Sequence, residues 1–159
     1  MAVDIKKLSR GEQLICVSGI VLLIFSFFKW YKVDDAIDTQ GFDPGINGWD
    51  TTLGWLAVLV GIVMVGQILA SKFGNMNVDA PGSVTWGQIH LGLGVVALLF
   101  LTIRLIDVPG AFGFDEAFDR AIGLFVSFVA AVGLALGGYL KFQEEKAGGG
   151  AVPPRPPAA

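Results

Sequence analysis

Cysteine and histidine each occur once in the 159 residues, as Cys16 and His90. One thiol excludes a disulfide within the chain and any multi-cysteine metal site. One imidazole excludes the paired histidines of many metal and haem centres. Charge is also scarce. Asp, Glu, Lys and Arg make up 16% of the chain, and 11 basic against 14 acidic residues leave a net charge of −3. That balance offers no basic face for phosphates, so no nucleic-acid partner is expected. There is no G-x-S-x-G elbow, no H-E-x-x-H pair and no phosphate loop. With no nucleophile–base pair or metal set to assemble, the expectation is a non-enzymatic protein without catalytic, metal-binding or cofactor-binding residues.

Apolar residues, by contrast, are 53% of the chain, and the mean hydropathy is +0.66. Such a composition is neither that of a disordered chain nor that of an ordinary water-soluble globule. Four windows lack Asp, Glu, Lys and Arg: residues 13–28, 51–71, 80–103 and 121–140. A helix needs roughly 20 residues to cross a ~30 Å hydrocarbon core. The windows therefore predict an all-α integral membrane bundle of four transmembrane helices. The expected spans are 11–31, 51–70, 84–106 and 120–140, with loops at 32–50, 71–83 and 107–119. The first window is short, but Glu12 and Lys29 flank it and can snorkel to the interface. Phe27-Phe28-Lys29-Trp30-Tyr31 offers no small-residue cleavage site, so this segment reads as a retained span and not a signal peptide.

Ser9 followed by Glu12 is a capping-box pattern that places the first helix start near Arg10. Asp50 and Ser83 are candidate caps for the second and third helices. Trp30, Tyr31, Trp49 and Trp55 at one interface, with Trp86 and Tyr139 at the other, suit aromatic belts. In the 107–119 loop, Phe114 and Phe118 are four residues apart and share a helical face. A short interfacial helix before the fourth span is therefore expected, with Asp115, Glu116 and Asp119 as its solvated side.

Basic residues orient the chain. With the N-terminus (1–10) inside, Lys6, Lys7, Arg10, Lys72, Lys141, Lys146 and Arg155 are cytoplasmic, against Lys29, Lys32, Arg104 and Arg120 outside. The positive-inside rule favours both termini in the cytoplasm. Residues 141–159 end in Gly, Pro and Ala around one arginine and are expected to be a disordered cytoplasmic tail. Its Pro153-Pro-Arg-Pro-Pro157 run fits a polyproline II ligand, though a passive tail is the simpler reading.

No Asp, Glu, Lys or Arg lies near the middle of a span, so the membrane-embedded glutamate of small multidrug exporters has no counterpart. His90, Gln67 and Gln88 are the candidate buried polar residues, in a His–Gln contact between the second and third spans. Arg104 and Asp107, with Asp50 nearby, are a candidate ion-pair clasp at the outer end. Cys16 reads as a small packing residue. Along the fourth span Gly123, Ser127, Ala131 and Ala135 recur every four residues, and Gly133 and Gly137 form a small-xxx-small pair on an adjacent face. These two narrow faces predict close helix contacts, one with a neighbour in the bundle and one with a second copy.

The chain resembles small, uncharacterised four-span inner-membrane proteins of actinobacteria. The likeness rests on Gly11-Glu12, Phe28-Lys29-Trp30-Tyr31, Gly48-Trp49-Asp50 and Arg104-Leu-Ile-Asp-Val-Pro109, and it covers roughly residues 11–140. The resemblance implies a bacterial plasma membrane and no established activity. The leading expectation is an accessory or scaffold protein that associates with itself or a larger membrane complex in the lipid bilayer. The alternative is an oligomeric pore or small transporter, holin-like or a channel. Ser18, Ser26, Thr102 and Ser127 are few for a wet lumen.

Overall fold

A computed structural model describes residues 4–33, 40–41, 45–76, 78–108 and 118–149. The fold is mostly helical: α1 (Arg10–Ser26), α2 (Thr52–Phe73), α3 (Trp86–Ile106) and α4 (Ile122–Gly149). Three short strands, β1 (Lys29–Val33), β2 (Gly45–Asn47) and β3 (Phe118–Arg120), form an antiparallel sheet with β1 in the centre. The all-α expectation is corrected by that sheet.

Local chemistry explains the helix starts. Ser9 and Glu12 form the expected reciprocal box, with Ser9 Oγ accepting from the Glu12 N–H and the Glu12 carboxylate from the Ser9 N–H. The third helix is capped by Thr85 and not by Ser83. Thr85 Oγ1 accepts from the Gln88 N–H, and Gln88 Oε1 accepts from the Thr85 N–H at 3.0 Å. Asp50 does not cap α2; its carboxylate closes a box with Asn47 around the turn Gly48–Asp50, and Thr51 precedes α2 without a side-chain cap bond.

Three helices, α2, α3 and α4, are long and apolar enough to cross a membrane. At 17 residues, α1 reaches only about 26 Å, because the chain leaves the helix at Ser26 and becomes strand at Lys29. The expected first span to Tyr31 is thus too long. Lys29–Val33 is rich in aromatic and β-branched residues, which suit a pleated surface. It pairs with two segments remote in sequence, so the apolar window before it gave no sign of a strand. The interfacial helix also meets a correction, since Phe118–Arg120 is a strand bonded to β1. Phe114, Asp115 and Glu116 lie outside the described residues. Nor does the chain leave its helix at 141: α4 runs on to Gly149. Residues 150–159, with the proline run, lie outside the described residues.

The helices meet in the order α1–α2–α3–α4, and α4 also packs along α1. Rows of small residues make these approaches close. A Cβ on Gly137 would stand 3.0 Å from the Gly11 carbonyl and the Ile15 nitrogen of α1, and one on Gly94 would stand 2.7 Å from Ala135 Cα. A Cβ on Gly138 would lie 2.7 Å from three backbone atoms at His90 and Leu91. Gly92, on the same helix as His90, has nothing within 4 Å of that position. Gly138→Ala is therefore expected to destabilise by about 1–3 kcal/mol through overpacking against backbone that cannot yield. Gly92→Ala is expected to be neutral or to gain up to ~1 kcal/mol of helix propensity. Thermal melts of the two variants in the same detergent check the contrast; equal melting points would mean that α3 and α4 are not this close.

Candidate functional site

The two ends of the helices differ sharply. At one end the sheet covers the helix termini. Trp30 and Tyr31, consecutive residues of β1, are both fully buried. A regular strand alternates its faces, but the β1–β2 register shifts between Lys29 and Tyr31, and this bulge lets two successive rings turn inward. The Trp30 indole N–H donates to the Phe25 carbonyl at 3.0 Å, and the Tyr31 hydroxyl donates to the Arg104 carbonyl at the end of α3. Arg120 from β3 donates to the Leu105 and Ile106 carbonyls, orphan acceptors of the last turn of α3. Trp30 and Tyr31 are thus core residues and not belt anchors; Trp49 and Trp55 keep partly exposed rings.

The expected clasp sits at this end in part. Arg104 Nη1 reaches Asp107 Oδ2 at 3.8 Å, and the guanidinium carbon lies 5.9 Å from the Tyr31 ring centroid. Asp50 is not in the clasp, because its carboxylate is bonded to the Asn47 N–H at 2.9 Å. Asp107 is 71% exposed, so the pair adds little to stability.

At the opposite end the helices surround an open cavity of about 480 Å³. Glu12 is among the residues that line it and is 4% exposed. Its Oε1 lies 3.0 Å from Lys141 Nζ and its Oε2 lies 3.3 Å from Lys72 Nζ. Lys141 is itself 7% exposed, so this is a buried ion pair joining α1 to α4, with Lys72 adding α2 at the rim. Glycine makes the pair possible. A Cβ on Gly11 would stand 2.5 Å from the Lys141 nitrogen, and only its absence lets α1 approach the α4 backbone there.

The extension of α4 past residue 140 has its reason here. Glu144 Oε1 accepts from the Gly11 N–H at 3.3 Å, and Glu145 Oε2 accepts from the Gly87 N–H at 2.8 Å. Two successive carboxylates of one helix thus satisfy free amides at the N-termini of α1 and α3, where the helix dipole favours negative charge. Trp86 forms another wall, its indole N–H donating to the Val78 carbonyl at 2.7 Å.

The buried polar trio does not assemble as expected. His90 is 1% exposed, with Nδ1 at 2.7 Å from the Trp86 carbonyl and Nε2 at 3.3 Å from the Met64 carbonyl of α2. It bridges α3 to the α2 backbone and not to Gln67. Gln67 lines the cavity with a buried, unpartnered Oε1, and Gln88 is an exposed cap residue. The small residues of α4 do act in packing, and both of their faces serve within the chain. Gly133 and Gly137 lie on α1, Ala135 lies on Gly94 of α3, and Gly123 lies on the Lys29 carbonyl. Ser127 and Ala131 are fully buried, Ser127 Oγ without a partner.

Glu12, Lys72, Lys141, Glu144 and Glu145 were not among the expected site residues. Read singly, each is a charge flanking an apolar window. Among the described residues, no three His, Cys, Asp or Glu side chains are placed to hold a metal ion. Among the described residues, the lining carries no nucleophile hydrogen-bonded to a base. No family model, no curated protein and no solved structure matches this chain.

Proposed function

We propose that the chain is a non-enzymatic accessory protein of the bacterial plasma membrane, a bundle of four membrane-crossing helices with both termini in the cytoplasm. The observation that carries this reading is the apolar exterior. Val17 and Ile20 on α1, Ile62 and Val63 on α2, Leu99 and Ile103 on α3, and Val129 and Leu136 on α4 are all large, apolar and exposed, while the charges gather at the two ends. Lipid is the solvent that makes such a surface favourable. The Thr102 hydroxyl of α3 is bonded back to the Leu98 carbonyl of its own helix, which suits lipid and not a water-filled path.

With α4 filled on both small-residue faces, association falls to the outward apolar faces of the helices, those of α2 and α3 among them. Gly66 and Gly92 are open there. Native mass spectrometry of the full chain, released from its own host without crosslinker, tests the reading. A monomer, or co-purification with a larger membrane complex, is the expected result. A closed ring of four or more copies that passes ions in liposomes would overturn it in favour of a pore.

A further inference from the structure

We infer that Lys6, Lys7 and Arg10, gathered around Ile5 at the start of α1, bind the phosphate of an anionic lipid headgroup. Such a site presupposes the membrane-embedded bundle proposed above. Its own support comes from placement, charge and one exposed apolar side chain.

Val17, Ile20 and Ile24 are exposed and follow one another at helical spacing, so they form one apolar stripe along the outward side of α1. Gln13 and Arg10 continue the same spacing back to the first turn of the helix. The Gln13 amide donates from Nε2 to the Ile5 carbonyl at 3.2 Å and to the Leu8 carbonyl at 3.0 Å. The turn Ile5–Lys7 is therefore tied down over the end of the stripe that faces lipid. Leu8, 7% exposed, packs into the apolar core and fixes the segment from its inner side.

Lys6, Lys7 and Arg10 are all exposed, and among the described residues no ion pair reaches any of them. The acids beside them in sequence are engaged elsewhere. Asp4 Oδ1 caps the turn by accepting from the Lys6 N–H at 3.1 Å. Glu12, buried on the inward side of α1, is held by Lys72 and Lys141. Three cations against the single charge of Asp4 leave this edge positive, and a phosphate is the anion that ammonium and guanidinium groups share most readily.

Ile5 decides for a lipid over a soluble anion. It is 62% exposed in the midst of these cations. In water that exposure gains nothing, but at a bilayer boundary the isoleucine enters the acyl region while the long basic side chains reach up to the phosphates. An acidic peptide would use the cations and leave Ile5 and the stripe beneath it uncovered. Basic residues at such a boundary attract anionic lipid.

The test uses the full chain with Ile5→Cys in a Cys16→Ser background, labelled with a fluorescent maleimide and reconstituted in phosphatidylcholine vesicles. A fixed fraction of the lipid is replaced by phosphatidylglycerol or phosphatidylcholine carrying a nitroxide on its acyl chain, and quenching reports which lipid gathers at the label. The expected preference for phosphatidylglycerol is about fivefold or more at low salt, and it should fade in about 1 M NaCl. Lys6→Gln, Lys7→Gln and Arg10→Gln combined should abolish it. Lys146→Gln, an exposed cation in the last turn of α4, should leave it unchanged. Equal quenching by the two lipids in the parent, an unchanged preference in the triple variant, or its loss in Lys146→Gln would each overturn the proposal. So would its abolition by glycerol phosphate at matched ionic strength, which would mark a soluble-anion site. The same label at Val129→Cys, on the exposed face of α4, separates the two levels of the account. Quenching there by both lipids with no preference at position 5 would overturn the lipid site alone; no quenching there would overturn the membrane reading and the site with it.

Discussion

Glu12→Leu is expected to cost about 3–5 kcal/mol of stability, among the largest losses any single substitution in this chain should produce. Its carboxylate is 4% exposed and answers three groups at once: Lys141 Nζ at 3.0 Å, Lys72 Nζ at 3.3 Å and the Ser9 N–H at 3.0 Å. Removing it strands Lys141, which is 7% exposed, as an uncompensated buried cation. The magnitude comes from that stranded charge more than from attraction in the pair. The double variant Glu12→Leu with Lys141→Met should therefore recover much of the loss, because two apolar side chains leave no charge to solvate. Denaturant titrations of the single and double variants, followed by circular dichroism, measure both. A single variant as stable as the parent would show that water reaches Lys141.

Trp30→Ala is expected to cost a similar amount, about 3–5 kcal/mol, at the other end of the molecule. Its indole is fully buried and bonded to the Phe25 carbonyl. Gly48 and Gly54 lie against the ring so closely that a Cβ on either would stand 2.7 and 3.0 Å from it. A fitted cavity of that kind cannot collapse fully after truncation, because β1 is held on both sides by strands. Trp30→Phe, which keeps most of the apolar volume and loses the N–H, should cost about half as much or less. Equal losses in the two variants would assign the effect to the hydrogen bond and not to packing.

The helices were legible because their signal is local. Charge-free windows, the Ser9–Glu12 box and the small residues of α4 each act over a few turns, and the structure contains the helices they imply. The sheet was not legible. Its strands have five, three and three residues, and Lys29–Val33 is paired with Phe118–Arg120 from the far side of two helices. The burial of Trp30 and Tyr31 follows from that pairing, so their rings read as interface anchors until the partners were in place. The cavity was hidden for a related reason. Glu12 and Lys141 each mark the edge of an apolar window, a position where a charge ordinarily reaches for water. Only the close approach of α1 to α4 at Gly11 and Gly137 turns two flanking charges into one buried pair. The same approach carries Glu144 to the amide of Gly11, the packing of α3 on α4 carries Glu145 to that of Gly87, and the two bonds hold helical a segment whose composition suggested a tail.

The most direct measurement for the proposed topology is side-specific labelling of single cysteines, because α1 is the shortest of the four helices. In a Cys16→Ser background, cysteines replacing Lys6, Met76 and Lys146 at the cavity end, and Trp49 and Asp119 at the sheet end, are treated with a membrane-impermeant maleimide. All five positions are exposed. The expected result is labelling of 49 and 119 from outside intact cells, and of 6, 76 and 146 only in inverted vesicles. Labelling of position 6 from outside, with 76 and 146 still protected, would show that α1 does not cross the membrane and would contradict the four-span reading.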